Sequence, residues 1–210
     1  MTDLTPLFDA VLGGKLDKTL EIVKQALDEN VTPRILIDDY MIKAMEEMGS
    51  RFETGKAFVP EMMMAARAMK GALEVLSPQM VGNADSSLGK IIIGTVKGDL
   101  HDIGKNIVAA MLEGCGFEVI NLGVDISPQK FIDAVKSSNA QIVCLSALLT
   151  TTMPAMKTTI EAFTHAGMRD QVKFMVGGAP VTDRFAKEIG ADGYSSNANA
   201  AVKKAKELIA

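Results

Sequence analysis

Apolar positions in the first 76 residues recur every three or four places, whereas after residue 90 they come in short unbroken runs separated by helical stretches. The first pattern predicts amphipathic helices, the second buried strands alternating with helices. The spacing predicts four helices in the first part. Leu4 to Leu12 ends at Gly13-Gly14, and Asp17 to Asn30 carries Leu20, Val23 and Leu27. The third opens with Thr32 as N-cap and Pro33 in the first turn. It runs to about Phe52 on a stripe of Ile35, Ile37, Met41, Met45 and Met48. The fourth, from near Pro60 to Leu76, has the seam Met62, Ala66, Met69, Leu73, Leu76, whose alternating steps of four and three fit a small up-and-down bundle.

In the second part, strands are expected over 90–96, 117–122, 141–146 and 173–176, with a short fifth ending at Gly193-Tyr194. Helices are expected over 103–115, 128–136, 153–166, 185–189 and 199–208. This alternation implies right-handed βαβ units and a Rossmann-like (flavodoxin-like) five-stranded parallel sheet. The fold class is therefore α plus α/β, a four-helix bundle followed by the sheet domain. Residues 77–89, rich in Ser, Gly, Pro and Asn, read as a linker over about 78–89. It divides the chain into a helical domain, 1–89, and an α/β domain, 90–210. Ligands of such sheets bind at the carboxyl ends of the strands. Chemistry is therefore expected in loops 97–102, 122–127, 146–152, 177–180 and 194–198.

Composition narrows the function classes. The chain has 210 residues, 48% of them hydrophobic and 23% charged, as in an ordinary globular protein. No apolar run is long enough to span a bilayer, and the acidic start MTDLTPLFDA has no basic segment of a secretory signal. Cys115 and Cys144 are too few for a disulfide framework, so a cytoplasmic location is expected. The net charge is −4, and residues 1–89 hold 9 basic against 14 acidic side chains, which argues against a duplex nucleic-acid binder. Fourteen methionines and only two histidines stand out.

The first βα loop reads Lys97-Gly98-Asp99-Leu100-His101-Asp102-Ile103-Gly104. Asp99 has the spacing to accept the Nδ1–H of His101 and leave Nε2 free for a metal, while Gly104 would let a bulky ligand approach. The alternative is a helix-capping Asp99 and a solvated His101. Zinc fits poorly, since Cys115, Cys144 and His165 are scattered over distant elements and a catalytic zinc needs about three protein ligands. The loop from Ser146 to Pro154 offers hydroxyls, including Thr150 and Thr152, that either bind a ligand or cap a helix. Gly177-Gly178 reads as a close approach or a plain turn. No G-x-G-x-x-G follows the first strand and there is no Walker-type loop.

Together, Asp99-Leu100-His101-Asp102-Ile103-Gly104, Ser146-Ala147-Leu148 and Gly177-Gly178 resemble the cobalamin-binding domain of the methionine synthase and corrinoid-protein family. Phe52-Glu53-Thr54-Gly55-Lys56-Ala57-Phe58-Val59-Pro60-Glu61-Met62, followed by Ala65 to Lys70, is similar to the helical cobalamin-cap segment of that family, so the resemblance covers nearly the whole chain. It implies cobalamin (a cobalt corrinoid) bound base-off/His-on. His101 would be the lower axial metal ligand, with Asp99 and Thr152 as its relay. Asp102, Ile103, Gly104, Ser146, Leu148, Thr150, Gly177, Gly178, Tyr194 and Asn197 would line the cofactor site, Ser146 bonding the displaced benzimidazole. Met62 and Met69 lie on the helix seam, whereas Met63 and Met64 are surplus to it. Met62 and Met63 are the candidates against the upper face of the ring.

The resemblance further implies a methyl carrier rather than an enzyme acting alone. A donor-specific methyltransferase, for methyl ethers, methylamines, methanol or betaines, would load Co(I). A second methyltransferase would pass the methyl to tetrahydrofolate or a thiol, and a reductive activator would rescue Co(II). The bundle would move aside on its linker for each partner. The alternatives are a cobalamin-dependent sensor and the small subunit of a radical mutase. No DNA-binding module fits in this length, and a mutase subunit has no use for the helical half.

Overall fold

The computed structural model describes residues 4–76, 78 and 88–210. They form two compact units: Met1–Ser87 with Ala110–Gly116, and Leu88–Ala109 with Phe117–Ala210. The expected linker over 78–89 lies largely outside the described residues.

In the helical unit α1 (Thr5–Leu12) and α2 (Leu16–Asp28) are joined at Gly14, whose φ is 64° and whose added Cβ would stand 2.5 Å from Met64 Cβ. Only glycine serves both the left-handed turn and the close approach. The third rod is α3 (Pro33–Ile35), a π-helical segment (Leu36–Met41) and α4 (Ile42–Glu53). The sequence reading of one uniform helix misses this wide turn. Ile37, Met41, Met45 and Met48 of the expected stripe are buried, and Leu36 is buried beside them, while Ile35 is 44% exposed. The fourth rod is α5 (Val59–Leu76), with Glu61 Oε2 accepting from the Phe58 N–H at 2.8 Å. It buries Met62, Ala66, Met69 and Leu76, together with Ala65, Ala68 and Ala72.

The α/β unit carries β1 (Lys90–Thr95), β2 (Glu118–Asn121), β3 (Ile142–Ser146), β4 (Lys173–Gly177) and β5 (Gly193–Tyr194). All pairings are parallel, in the order β2-β1-β3-β4-β5. The helices between and after the strands are α6 (Ile103–Gly114), α7 (Pro128–Ser138), α8 (Pro154–His165), α9 (Asp183–Glu188) and α10 (Ala198–Ile209). β1 and β3 are buried along nearly their whole length because the layout shields both faces, which is why they read as unbroken apolar runs. Phe131, Phe163 and Phe174 anchor one core layer, the last two edge to face with centroids 5.0 Å apart. Gly94 makes room there, since an added Cβ would meet the Phe131 ring at 2.8 Å. The strand order reverses between β1 and β3, the position at which parallel α/β sheets bind their ligands, at the carboxyl ends of the strands.

Candidate functional site

The loops after β1 and β3 converge on one carboxylate. Val96 O accepts from the Asp99 N–H at 3.1 Å, and Gly98 in this turn has φ 86°. That is a type II turn with glycine at its obligatory position. It presents Asp99, which is fully buried. Its Oδ1 accepts from the His101 backbone N–H at 3.0 Å and lies 2.7 Å from His101 Nδ1. Its Oδ2 accepts from the Thr152 hydroxyl at 2.7 Å and the Leu148 N–H at 2.8 Å, and more weakly from Leu149 N–H at 3.3 Å. Burial alone would raise the Asp99 pKa. The Thr152 hydroxyl, the backbone N–H groups of His101 and Leu148, and the His101 ring outweigh it, holding the carboxyl well below its ordinary range.

An ionised carboxylate only accepts hydrogen bonds, so the Nδ1 it faces carries the proton. In the neutral ring the lone pair then lies on Nε2, and the ring is half exposed. The Thr95 hydroxyl, buried at the end of β1, donates to the His101 carbonyl at 2.8 Å, so backbone and ring are both held. The same two loops expose large apolar side chains: Leu100 is 72% exposed, Ile103 77%, Leu148 42% and Leu149 43%. Gly104 opens α6 with nothing within 4 Å of an added Cβ.

The other strand ends meet backbone to backbone. Ser146 stands in register between Thr95 and Gly177. Gly178 has φ 136°, and an added Cβ would lie 1.9 Å from the Ala147 carbonyl oxygen. A Cβ on Gly177 would meet Ser195 O at 3.2 Å. Tyr194 ends β5 and packs against the sheet core, while Asn197 Oδ1 caps α10 by accepting from Ala200 N–H. Thr150 is exposed in the turn before Thr152, and Asp102 Oδ2 accepts from Asn106 Nδ2 at 3.0 Å at the start of α6. Of the two methionine candidates, Met62 is fully buried, whereas Met63 is 44% exposed.

Several residues escaped the sequence reading. Lys105, in the first turn of α6, is only 3% exposed, with Nζ donating to Asn106 Oδ1 at 2.6 Å and Asn121 Oδ1 at 2.8 Å. Burial pushes its pKa down, and nearby Asp102 only partly offsets this. Thr95 and Asp125 also hold the His101 loop, and no local spacing marks either. Cys144 is buried with its thiol pushed up to about 12 by desolvation, which makes it inert.

Among the described residues no cluster of three or more His, Cys, Asp or Glu forms an all-protein metal site. One imidazole held by a buried carboxylate, on loops that expose apolar side chains, suits a metal that brings its own equatorial ligands. The donor set therefore fits a corrinoid, and site and fold define a cobalamin-binding protein. Two models described as B12 binding domain match the chain, over residues 4–77 and 89–203. The dimethylamine corrinoid protein of Methanosarcina barkeri is 47% identical over 99% of this chain and 97% of its own length. A cobalamin-binding protein from Desulfitobacterium hafniense superposes with a TM-score of 0.82 at 33% identity, covering 99% of both chains. The methanol:cobalamin methyltransferase complex MtaBC of Methanosarcina barkeri matches with a TM-score of 0.83 at 31% identity, over 97% of this chain and 78% of that one. The chain belongs to this family of corrinoid proteins, and its cofactor is cobalamin or a close corrinoid. No helix among the described residues is long and apolar enough to cross a membrane.

Proposed function

We propose that the protein carries a methyl group between two methyltransferases, holding its corrinoid base-off with His101 as lower ligand. The bound corrinoid supplies a cobalt that takes up and releases a methyl group. The observation that carries the reading is the 2.7 Å Asp99–His101 contact, which holds Nδ1 of a half-exposed imidazole and leaves Nε2 as the nitrogen for a metal. Asp99 keeps the Nδ1 proton in place, so Nε2 is the donor. Thr152 holds the far oxygen of Asp99 and extends the relay outward. Ser146, Gly177 and Gly178 lie at the strand ends where the displaced nucleotide tail would be held, with Tyr194 and Asn197 beyond them. Met63 keeps exposed, polarizable apolar surface within the helical unit.

Similarity to the dimethylamine corrinoid protein supports a methylamine, dimethylamine first, as the source of the methyl. A donor-specific methyltransferase loads the protein, an acceptor methyltransferase acting on a thiol or tetrahydrofolate unloads it, and a reductive activator restores an oxidised cobalt.

The test is reconstitution of the wild type and His101→Ala with cobalamin. The wild type is expected to bind with an axial-imidazole spectrum, and the exposed ring of His101 lets the variant fold while its spectrum shifts to an unligated lower face. An unchanged spectrum in His101→Ala would falsify axial ligation, and failure of the wild type to bind any corrinoid would end the reading. Mixed assays with dimethylamine, monomethylamine, trimethylamine and methanol methyltransferases then assign the donor.

A further inference from the structure

The loop after β2 grips the turn that presents Asp99. Asp125 is one of three non-glycine residues with positive φ among those described, at 54°. Its Oδ1 accepts from the Gly98 N–H at 2.8 Å, and its own N–H donates to the Asp99 carbonyl at 3.0 Å. Ile126 N–H continues the contact to Thr95 O at 3.0 Å, and Val96 bridges to Ile126. The Gly98 N–H belongs to the central peptide of the type II turn, the peptide that flips when such a turn changes to type I. Asp125 accepts from that N–H and so holds the peptide in one orientation. Its left-handed backbone costs energy that persists only where the surroundings hold it, as strained residues at functional sites do.

We infer that Asp125 is the positioning residue that locks the Val96–Asp99 turn and thereby sets the direction of the Asp99 carboxylate toward His101. Its hydrogen bonds go to the Gly98 N–H and the Asp99 carbonyl. It acts through Gly98, so that Asp99 stands ready before any ligand arrives and the imidazole stays in its Nδ1–H tautomer. The role of this lock in axial ligation rests on the reading of His101 as lower ligand. Its effect on the tautomer does not.

Two variants separate the carboxylate from the backbone. Asp125→Gly relaxes the positive φ, keeps the N–H to Asp99 O and removes the acceptor for Gly98. Asp125→Asn keeps a side-chain oxygen for Gly98 and tolerates the same φ. Nitrogen NMR of the His101 ring in the cofactor-free protein reads the tautomer, and cobalamin titration reads affinity and the fraction with an axial imidazole. In Asp125→Gly, the ratio of Nδ1–H to Nε2–H tautomer and the cobalamin affinity should both fall roughly three- to tenfold, the range of one hydrogen bond. Asp125→Asn should match the wild type. A tautomer ratio in Asp125→Gly equal to that of the wild type, or an Asp125→Asn that behaves like the glycine variant, overturns the assignment. Loss of the tautomer effect alone defeats the lock. A normal tautomer effect in a wild type that binds no corrinoid defeats only the functional reading.

Discussion

The hydroxyl of Thr152 donates to Oδ2 of Asp99 across 53 positions of sequence, at 2.7 Å and away from solvent. A buried charge needs such donors, because each one removed leaves the carboxylate less compensated in a medium that screens poorly. The bond also joins the β1 loop to the β3 loop across the point where the sheet reverses its strand order.

Thr152→Val removes this donor and keeps the shape of the side chain. It should destabilise the protein by about 1.5–3 kcal/mol, the range for a hydrogen bond to a charged group. Thr152→Ser, which keeps the hydroxyl, should lose under about 1 kcal/mol. Urea unfolding of both variants checks the contrast, and equal losses would mean that methyl packing sets the cost.

The depressed Asp99 pKa has a defined pH signature. A carboxyl whose folded pKa lies below its ordinary 3.8 contributes stability that is fully present above that value. The contribution is lost as the pH falls from 3.8 through the lower folded pKa. Asp99→Asn should therefore be less stable than wild type by about 1–3 kcal/mol at pH 7, with the gap closing below pH 3.8. Unfolding curves collected from pH 2 to 7 measure it; a gap that stays constant through the acid range contradicts the sign.

Lys105 works in the opposite sense. Its pKa is lowered by burial, so folding disfavours the charged form, a penalty that applies at neutral pH and fades as the pH rises toward 10.5. Its partners Asn106 and Asn121 are exposed and can hydrate when it is gone. Lys105→Met is predicted to be at least as stable as wild type at pH 7 and to lose the alkaline rise in stability. A loss of more than about 1 kcal/mol would show that the two hydrogen bonds outweigh desolvation.

Two glycines of the site should respond differently to a methyl group. Gly178→Ala drives a Cβ to within 1.9 Å of a backbone oxygen at φ 136°, and about 3 kcal/mol or more of stability should be lost. Gly104→Ala meets nothing within 4 Å and should be neutral or gain up to about 1 kcal/mol. Any fall in corrinoid affinity in Gly104→Ala then reports the close approach of a ligand, which thermal melts alongside cobalamin titration would separate from unfolding.

Much of the fold was legible because its signals are local. The runs 90–95, 142–146 and 173–177 are apolar because both faces of those strands are covered. Asp99 and His101 could be paired from sequence since two residues separate them in one loop. The helical stripe was read less well. Thr19 and Ile22 are buried beside the expected Val23 while Leu20 and Leu27 are only partly covered, and Leu36 joins the expected Ile37, Met41, Met45 and Met48 in the core while Ile35 stays exposed. Buried alanines also let α5 pack on more than one line, which hydrophobic spacing alone ranks too low.

The sequence by itself determined the element types, the parallel α/β alternation and the Asp-x-His-x-x-Gly loop, since each depends on neighbours within a turn or a strand. Only the tertiary structure decided that Thr152 and Leu148 complete the shell of Asp99 and that Lys105 is buried. It likewise decided that Asp125 holds Gly98 and that Gly178 must lack a side chain. Those facts depend on which strand ends lie side by side, and the strand order β2-β1-β3-β4-β5 sets that.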